Sequence, residues 1–176
     1  DRTSADWDLQ REVMLQRWLG YDYVRARLEA VDLPLHRATA ADTAGLARAG
    51  GRSFQDEHTG PITNWQEYES FPWPDPNRDE VYRQLEWYER NLPDDMCMIV
   101  SGGFAHFCEN LTWLMGYETL CYALYDQRDL VQAIANRLLE LYIGVLDRIL
   151  TFERVKIIWG SDDMGFKTGP MISPDD

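Results

Sequence analysis

The chain has 176 residues, with 17 Lys or Arg against 30 Asp or Glu and a formal net charge of −13. Apolar residues make up 45% and aromatics 12%, including 7 Trp, which excludes a disordered tail or a low-complexity linker. The acidic balance argues against a broad nucleic-acid or anionic-membrane surface, since either needs a positive face.

In chain order, Leu9, Val13, Met14 and Trp18 predict a helix over 8–19 with Gly20 as its stop. A short strand is expected over 21–25. Residues 31–52 mix Ala, Thr, Gly and Arg without a period and support no assignment. Thr63-Asn64-Trp65-Gln66 fits a capping box opening a short helix. The alternating prolines of Phe71-Pro72-Trp73-Pro74-Asp75-Pro76 then forbid both helix and central strand. Asp75 or Asn77 is the expected cap of a helix carrying Val81, Leu85, Tyr88 and Leu92, ended by Pro93.

Met96-Cys97-Met98-Ile99-Val100 is a continuous apolar run, the pattern of a parallel strand covered on both faces. A helical region over 108–125 is interrupted by Gly116. A longer helix over 129–152 buries Leu130, Ile134, Leu138, Leu141, Tyr142, Val145 and Ile149. Val155-Lys156-Ile157-Ile158-Trp159 is a second strand, ending at Gly160.

Strand, helix, strand in units of this length is βαβ logic with a parallel sheet. No GxGxxG follows the first strand, so a dinucleotide fold is disfavoured. A (β/α)8 TIM barrel fits better, and its active-site groups sit at the C-terminal ends of strands. That rule selects two stretches. Ser101-Gly102-Gly103-Phe104-Ala105-His106 has paired glycines that let backbone approach a ligand, and His106 is a candidate proton donor or polar anchor. An ordinary strand-to-helix turn is the alternative. The second stretch, Gly160 to Pro170, has Asp162 and Asp163 adjacent, Gly165 and Gly169 for tight backbone, and Lys167 as a cation. Two carboxylates sharing a low-dielectric pocket would suit proton transfer. A metal ligand, an orienter of a neighbouring base or a solvated helix cap are the alternatives.

Asp56-Glu57-His58 reads as a solvated loop or as part of the same mouth, and His36 as structural. Cys97, Cys108 and Cys121 are odd in number and show no CxxC spacing, so a reducing compartment is expected. No HxxxH or CxxC pair provides a metal motif. With no run near the ~18 apolar residues of a membrane span, a cytoplasmic protein is predicted. Asp1 at the start, and an end at Ile172-Ser173-Pro174-Asp175-Asp176 that reads as a helix start, predict an internal fragment; a frayed polar tail is the alternative.

The stretch Gly160-Ser161-Asp162-Asp163-Met164-Gly165-Phe166-Lys167-Thr168-Gly169-Pro170-Met171-Ile172-Ser173-Pro174 resembles the central motif of uroporphyrinogen decarboxylase-like proteins. That superfamily includes the methylcobamide:coenzyme M methyltransferases and related corrinoid-dependent demethylases. Gly102-Gly103-Phe104, Leu114-Met115-Gly116-Tyr117-Glu118, Tyr125-Asp126-Gln127-Arg128-Asp129-Leu130 and Trp73-Pro74-Asp75-Pro76 are similar to the family too. The resemblance is best over residues 60–176.

The resemblance implies a (β/α)8 barrel of which about the first half to two-thirds is present, as one incomplete domain over 1–176. Such a barrel typically needs roughly 250 residues. The implied enzyme is most simply a corrinoid-dependent methyltransferase with a tetrapyrrole-type ligand in the funnel and a corrinoid protein as a possible partner. Porphyrinogen decarboxylation, a carboxy-lyase step of heme biosynthesis, is the first alternative and a non-catalytic ligand-binding barrel the second. Asp162, Asp163 and His106 are then the expected catalytic residues; Ser101, Gly102, Gly103, Phe104, Met164, Gly165 and Lys167 are the expected substrate contacts. A methylcobamide is the implied cofactor, and zinc would be held by a His-x-Cys pair and a later Cys outside this sequence. The arginine-rich segment by which the decarboxylases grip carboxylates is not seen.

Overall fold

A computed structural model of the chain describes residues 6–35, 37–43 and 50–175; His36 lies outside them. The elements are α1 (Trp7–Trp18), β1 (Tyr23–Arg27), β2 (Ala38–Ala40), β3 (Arg52–Phe54), α2 (Trp65–Ser70), α3 (Arg83–Asn91) and β4 (Cys97–Ser101). They continue with α4 (Phe107–Met115), α5 (Tyr117–Asp126), α6 (Arg128–Ile149), β5 (Val155–Trp159), β6 (Gly165–Phe166) and β7 (Gly169–Pro170). The fold is mixed α/β, and it divides into two compact units interleaved in sequence. One takes the chain up to Asp32, Pro74–His106 and Glu140–Ser161; the other takes Leu33–Trp73, Phe107–Leu139 and Asp162 onward.

The first unit is built on a three-stranded parallel sheet of order β1-β4-β5, so the strands lie side by side in chain order. Val24 pairs with Met98 and Ala26 with Val100, and all four are buried. Their neighbours Arg25 and Arg27 point the other way into solvent, the period-two alternation of a half-covered strand. Leu85, Tyr88 and Leu92, at helical spacing along α3 and its end, are buried, as are Val145 and Ile149 of α6. Each such side chain contributes about 1.5–3 kcal/mol by leaving water. Glu89 accepts from the N–H groups of Glu153 and Arg154, and the Arg154 guanidinium donates to the carbonyls of Pro93 and Met96. These bonds tie the start of β5 to the entry of β4.

Several expectations change in this unit. The first strand lies two residues later than predicted, at Tyr23–Arg27. No residue of α1 is fully buried, Leu9 and Val13 are half-buried, and Trp18 is 81% exposed. At 3.6 residues per turn, Trp7, Met14 and Trp18 fall on one side and Leu9 and Val13 on the opposite one, so no single stripe forms. The strand β5 falls where its apolar run predicts, yet Ile157 and Trp159 are 47% and 57% exposed, because β4 is its only strand neighbour among the described residues. Asp75 accepts from the Asn77 N–H and so caps a turn, whereas the 3-10 turn Asp79–Tyr82 that leads into α3 has no side-chain cap.

In the second unit, β2 and β3 form an antiparallel pair, with Ala38 opposite Phe54, in and beyond a stretch where the sequence predicted nothing. The capping box is real but set one residue later than expected. Asn64 takes extended backbone and its Oδ1 accepts from Glu67 N–H, while Glu67 reaches back to the N–H and hydroxyl of Thr63. Those bonds hold the Glu67 carboxyl below its ordinary range, the Thr63 backbone bond foremost. The predicted break at Gly116 separates α4 from α5: its φ is +80°, and a Cβ there would lie 2.5 Å from the Thr59 nitrogen. The crossing loop is stitched down by Ile62 N–H to Leu114 O and Glu118 N–H to Glu57 O, both 2.9 Å. Arg137 lies over the ring of Trp73 in the proline-rich stretch, 5.9 Å from its centroid.

The helix α6 carries the predicted buried stripe, Leu130, Ile134, Leu138, Leu141, Tyr142, Val145 and Ile149, and ends three residues earlier than expected. Among the described residues no helix is long and apolar enough to cross a membrane.

Candidate functional site

The first predicted stretch leaves the C-terminal end of β4. Ser101 closes that strand opposite Arg27 of β1 and Trp159 of β5, and its carbonyl accepts from Leu28 N–H at 3.1 Å. Gly102 is extended and buried, and Phe104 is buried beneath the turn that follows. Gly103 N–H donates to Asp32 Oδ1 at 2.8 Å, while the other oxygen of Asp32 takes Arg27 Nη2 at 3.1 Å. Asp32 therefore gathers the ends of β1 and β4. Gly103 gives its amide to the protein, so the paired glycines form a tied turn.

His106 ends this turn half-buried. Its carbonyl accepts from the hydroxyl of Tyr142 at 3.1 Å, and its Nε2 lies 3.4 Å from Ser161 Oγ. Ser161 follows β5 by two residues, so side chains from neighbouring strand ends meet here. Tyr142, expected on the buried stripe of α6, is buried and also holds the backbone of a candidate site residue.

From Asp162 onward the second predicted stretch lies in the other unit. Asp162 is half-buried and its two oxygens accept the N–H groups of Cys108 and Glu109, at 2.7 and 2.9 Å. These amides belong to the first turn of α4, where backbone donors lack helical partners and the dipole favours a negative group. Asp163 is exposed, and its Oδ1 lies 3.4 Å from Gly165 N. The two carboxylates thus differ in surroundings, and the expected shared low-dielectric pocket does not form. Asp162 has a positional task; Asp163 is presented to solvent.

After Asp163 the chain forms the small antiparallel pair β6–β7, with Gly165 opposite Pro170 and Lys167 exposed in the turn. Met164 is 65% exposed. Tyr117 anchors the hairpin by donating to Met171 O at 2.8 Å and by meeting the ring of Phe166 edge-on. Cys108 is half-buried; burial pushes its thiol up, and the charges of Asp162, Asp163 and Glu109 push the same way. Cys97 is likewise raised, chiefly by burial.

His58, the weaker candidate, lies in an exposed loop with Nδ1 2.5 Å from Glu118 Oε2. That hydrogen bond and the Glu118 charge raise its pKa above 6.5. Its carbonyl accepts from Thr119 Oγ1, so the loop is fastened to the start of α5.

Sequence reasoning passed over Asp32 and Ser161 as site residues. Asp32 meets Gly103 across 71 positions, a pairing no local spacing signals. Ser161 stands within the second stretch, beside the more conspicuous pair Asp162 and Asp163. Comparison with protein-family models, curated proteins and solved structures finds no match.

Proposed function

We propose that the three parallel strands are consecutive members of a (β/α)8 barrel of the uroporphyrinogen decarboxylase-like superfamily, and that the protein is a cytoplasmic enzyme of corrinoid-dependent methyl transfer. The observation that carries this reading is positional. Ser101–His106 and Ser161–Lys167 leave the C-terminal ends of adjacent parallel strands, where barrel enzymes keep their chemistry. Sheet order supports it as well, since strands in chain order suit a barrel, whereas a doubly wound sheet reverses at its switch point.

In this reading Ser101, Gly102, Gly103 and Phe104 shape the funnel wall and His106 anchors or protonates the ligand. Asp163 orients substrate or moves a proton, with Met164, Gly165 and Lys167 as contacts, and Asp162 sets the start of α4. Cys108 stands two positions after His106, a His-x-Cys spacing, but in the first half of the proposed barrel, where the resemblance places no zinc ligand. No step is assigned to zinc. A corrinoid would supply the methyl group. Arg27 is held by Asp32 and lies near Glu29, which disfavours it as a grip for a polycarboxylate and sets porphyrinogen decarboxylation second.

The test offers methylcobalamin with a thiol acceptor, and uroporphyrinogen, side by side to the protein. Demethylation of the corrinoid supports the reading. Carboxylate loss from the porphyrinogen replaces it with decarboxylation, and corrinoid binding without turnover replaces it with a binding barrel.

A further inference from the structure

The polarity of α1 is inverted. Its half-buried side holds Glu12 and Gln16 beside Leu9 and Val13, and Gln16 Nε2 donates to Glu12 Oε1 at 2.7 Å. Its outward side carries Met14, Leu15 and Trp18, continued by Leu19 at the cap, and all four are exposed. Arg17 holds the helix in this orientation, its Nη1 and Nη2 donating to the two oxygens of Asp95 at 3.2 and 3.0 Å. Neighbouring large apolar groups on one exposed face mark an interaction surface, unlike single scattered ones.

The same face carries its own complement. Arg11, Met14 and Trp18 follow at spacings of three and four, the seam of a helix pair. The charges on this side, Asp8 and Arg11, lie 3.3 Å apart and offset each other, so an approaching copy meets little net charge here although the chain carries −13. Arg11 then sets the direction. Parallel pairing would bring guanidinium against guanidinium. Antiparallel pairing about a two-fold axis between Met14 and Leu15 lays each Arg11 on the partner's Trp18 indole, a cation–π contact made twice, with Met14 against Leu15 at the centre. A lipid surface fits less well, because the polar side that an interfacial helix fills with Lys or Arg holds Glu12 and Gln16.

We propose that the outward face of α1 docks a second copy of this chain, antiparallel across that two-fold axis. A 12-residue helix is about 18 Å long, short for a standard interface, so the dimer is weak and concentration-dependent. The inference stands apart from the reaction proposed above.

The test is sedimentation equilibrium of the Ile157→Lys chain, in which the open edge of β5 is charged, over a concentration series. The expected result is a mass that climbs from 20.5 kDa towards twice that value. Adding Trp18→Ala or Met14→Glu should raise the dissociation constant about tenfold or more with the thermal melt unchanged, because both side chains face outward. Arg11→Glu should weaken the dimer and Arg11→Lys should keep most of it. A mass that stays at 20.5 kDa overturns the proposal, as does association that a folded Trp18→Ala leaves intact. A chain that stays monomeric yet binds phosphatidylcholine vesicles through Trp18 gives the face to lipid and overturns it too. Should Trp18→Ala fail to fold, the exposed Arg11→Glu change decides.

Discussion

The carboxylate of Asp162 closes the first turn of α4 by accepting the N–H of Cys108 at 2.7 Å, across 54 positions of sequence. Glu109 N–H takes the second oxygen at 2.9 Å. A capping group normally comes from the residue before the helix; here it comes from the segment that follows β5. Two adjacent aspartates therefore carry different tasks, one within the fold and one towards solvent.

Replacing Asp162 with Ala should cost about 1–2 kcal/mol of stability, the upper part of the range for a lost cap at a helix N-terminus. Asp162→Asn keeps an acceptor and should lose less. Asp163→Ala, which removes an exposed group, should change stability by under about 0.5 kcal/mol. Urea unfolding of the three variants checks the order, and equal losses at both positions would contradict the assigned division.

Gly116 stands at φ +80° with Thr59 against it. Ala at this position should destabilise by about 1–3 kcal/mol, combining backbone strain with the displaced loop. Thermal melts of Gly116→Ala, with Gly20→Ala as an uncrowded positive-φ comparison, measure the part due to crowding.

The His58–Glu118 pair gives a pH dependence of definite sign. Its partner raises the His58 pKa in the folded state, so the stabilisation is fully present below about pH 6.5 and fades as pH rises through the higher folded value. The stability difference between wild type and Glu118→Gln should therefore be larger at about pH 6 than at about pH 8.5. Both side chains are largely exposed, so added salt should shrink it. A difference that grows with pH would contradict the pairing.

The open side of β5 carries apolar groups, and Ile157, Ile158 and Trp159 are all exposed. Ile157→Lys should reduce self-association of the 176-residue chain with little change in folding free energy, since an unpaired apolar edge is a template for further pairing. Sedimentation of wild type and variant across a concentration series checks it.

The elements that sequence revealed were those with long or continuous apolar signals. The run Val155–Trp159 was bounded by Gly160, and the stripe of α6 repeated through seven buried positions, so both were placed closely. The pair Ala38–Ala40 and Arg52–Phe54 escaped because three-residue strands, exposed throughout, carry no alternation to read. The capping box slipped by one residue because Thr63 and Asn64 are both good caps, and the choice fell to the residue whose backbone is extended and whose acid partner is Glu67. At the candidate site, glycines, histidine and aspartates were visible as residue types. The roles of Asp32, Tyr142 and Ser161 were not, because each acts on a partner dozens of positions away.

The most direct test of the account is methyl transfer from methylcobalamin to a thiol acceptor by the wild-type protein and by Asp163→Asn, a change that leaves the α4 cap intact. The account predicts turnover in the wild type and a fall of roughly a hundredfold or more in the variant, the scale of a lost proton-transfer or orienting group. An Asp163→Asn protein that turns over at the wild-type rate, or a wild type that leaves the corrinoid methylated, would contradict it.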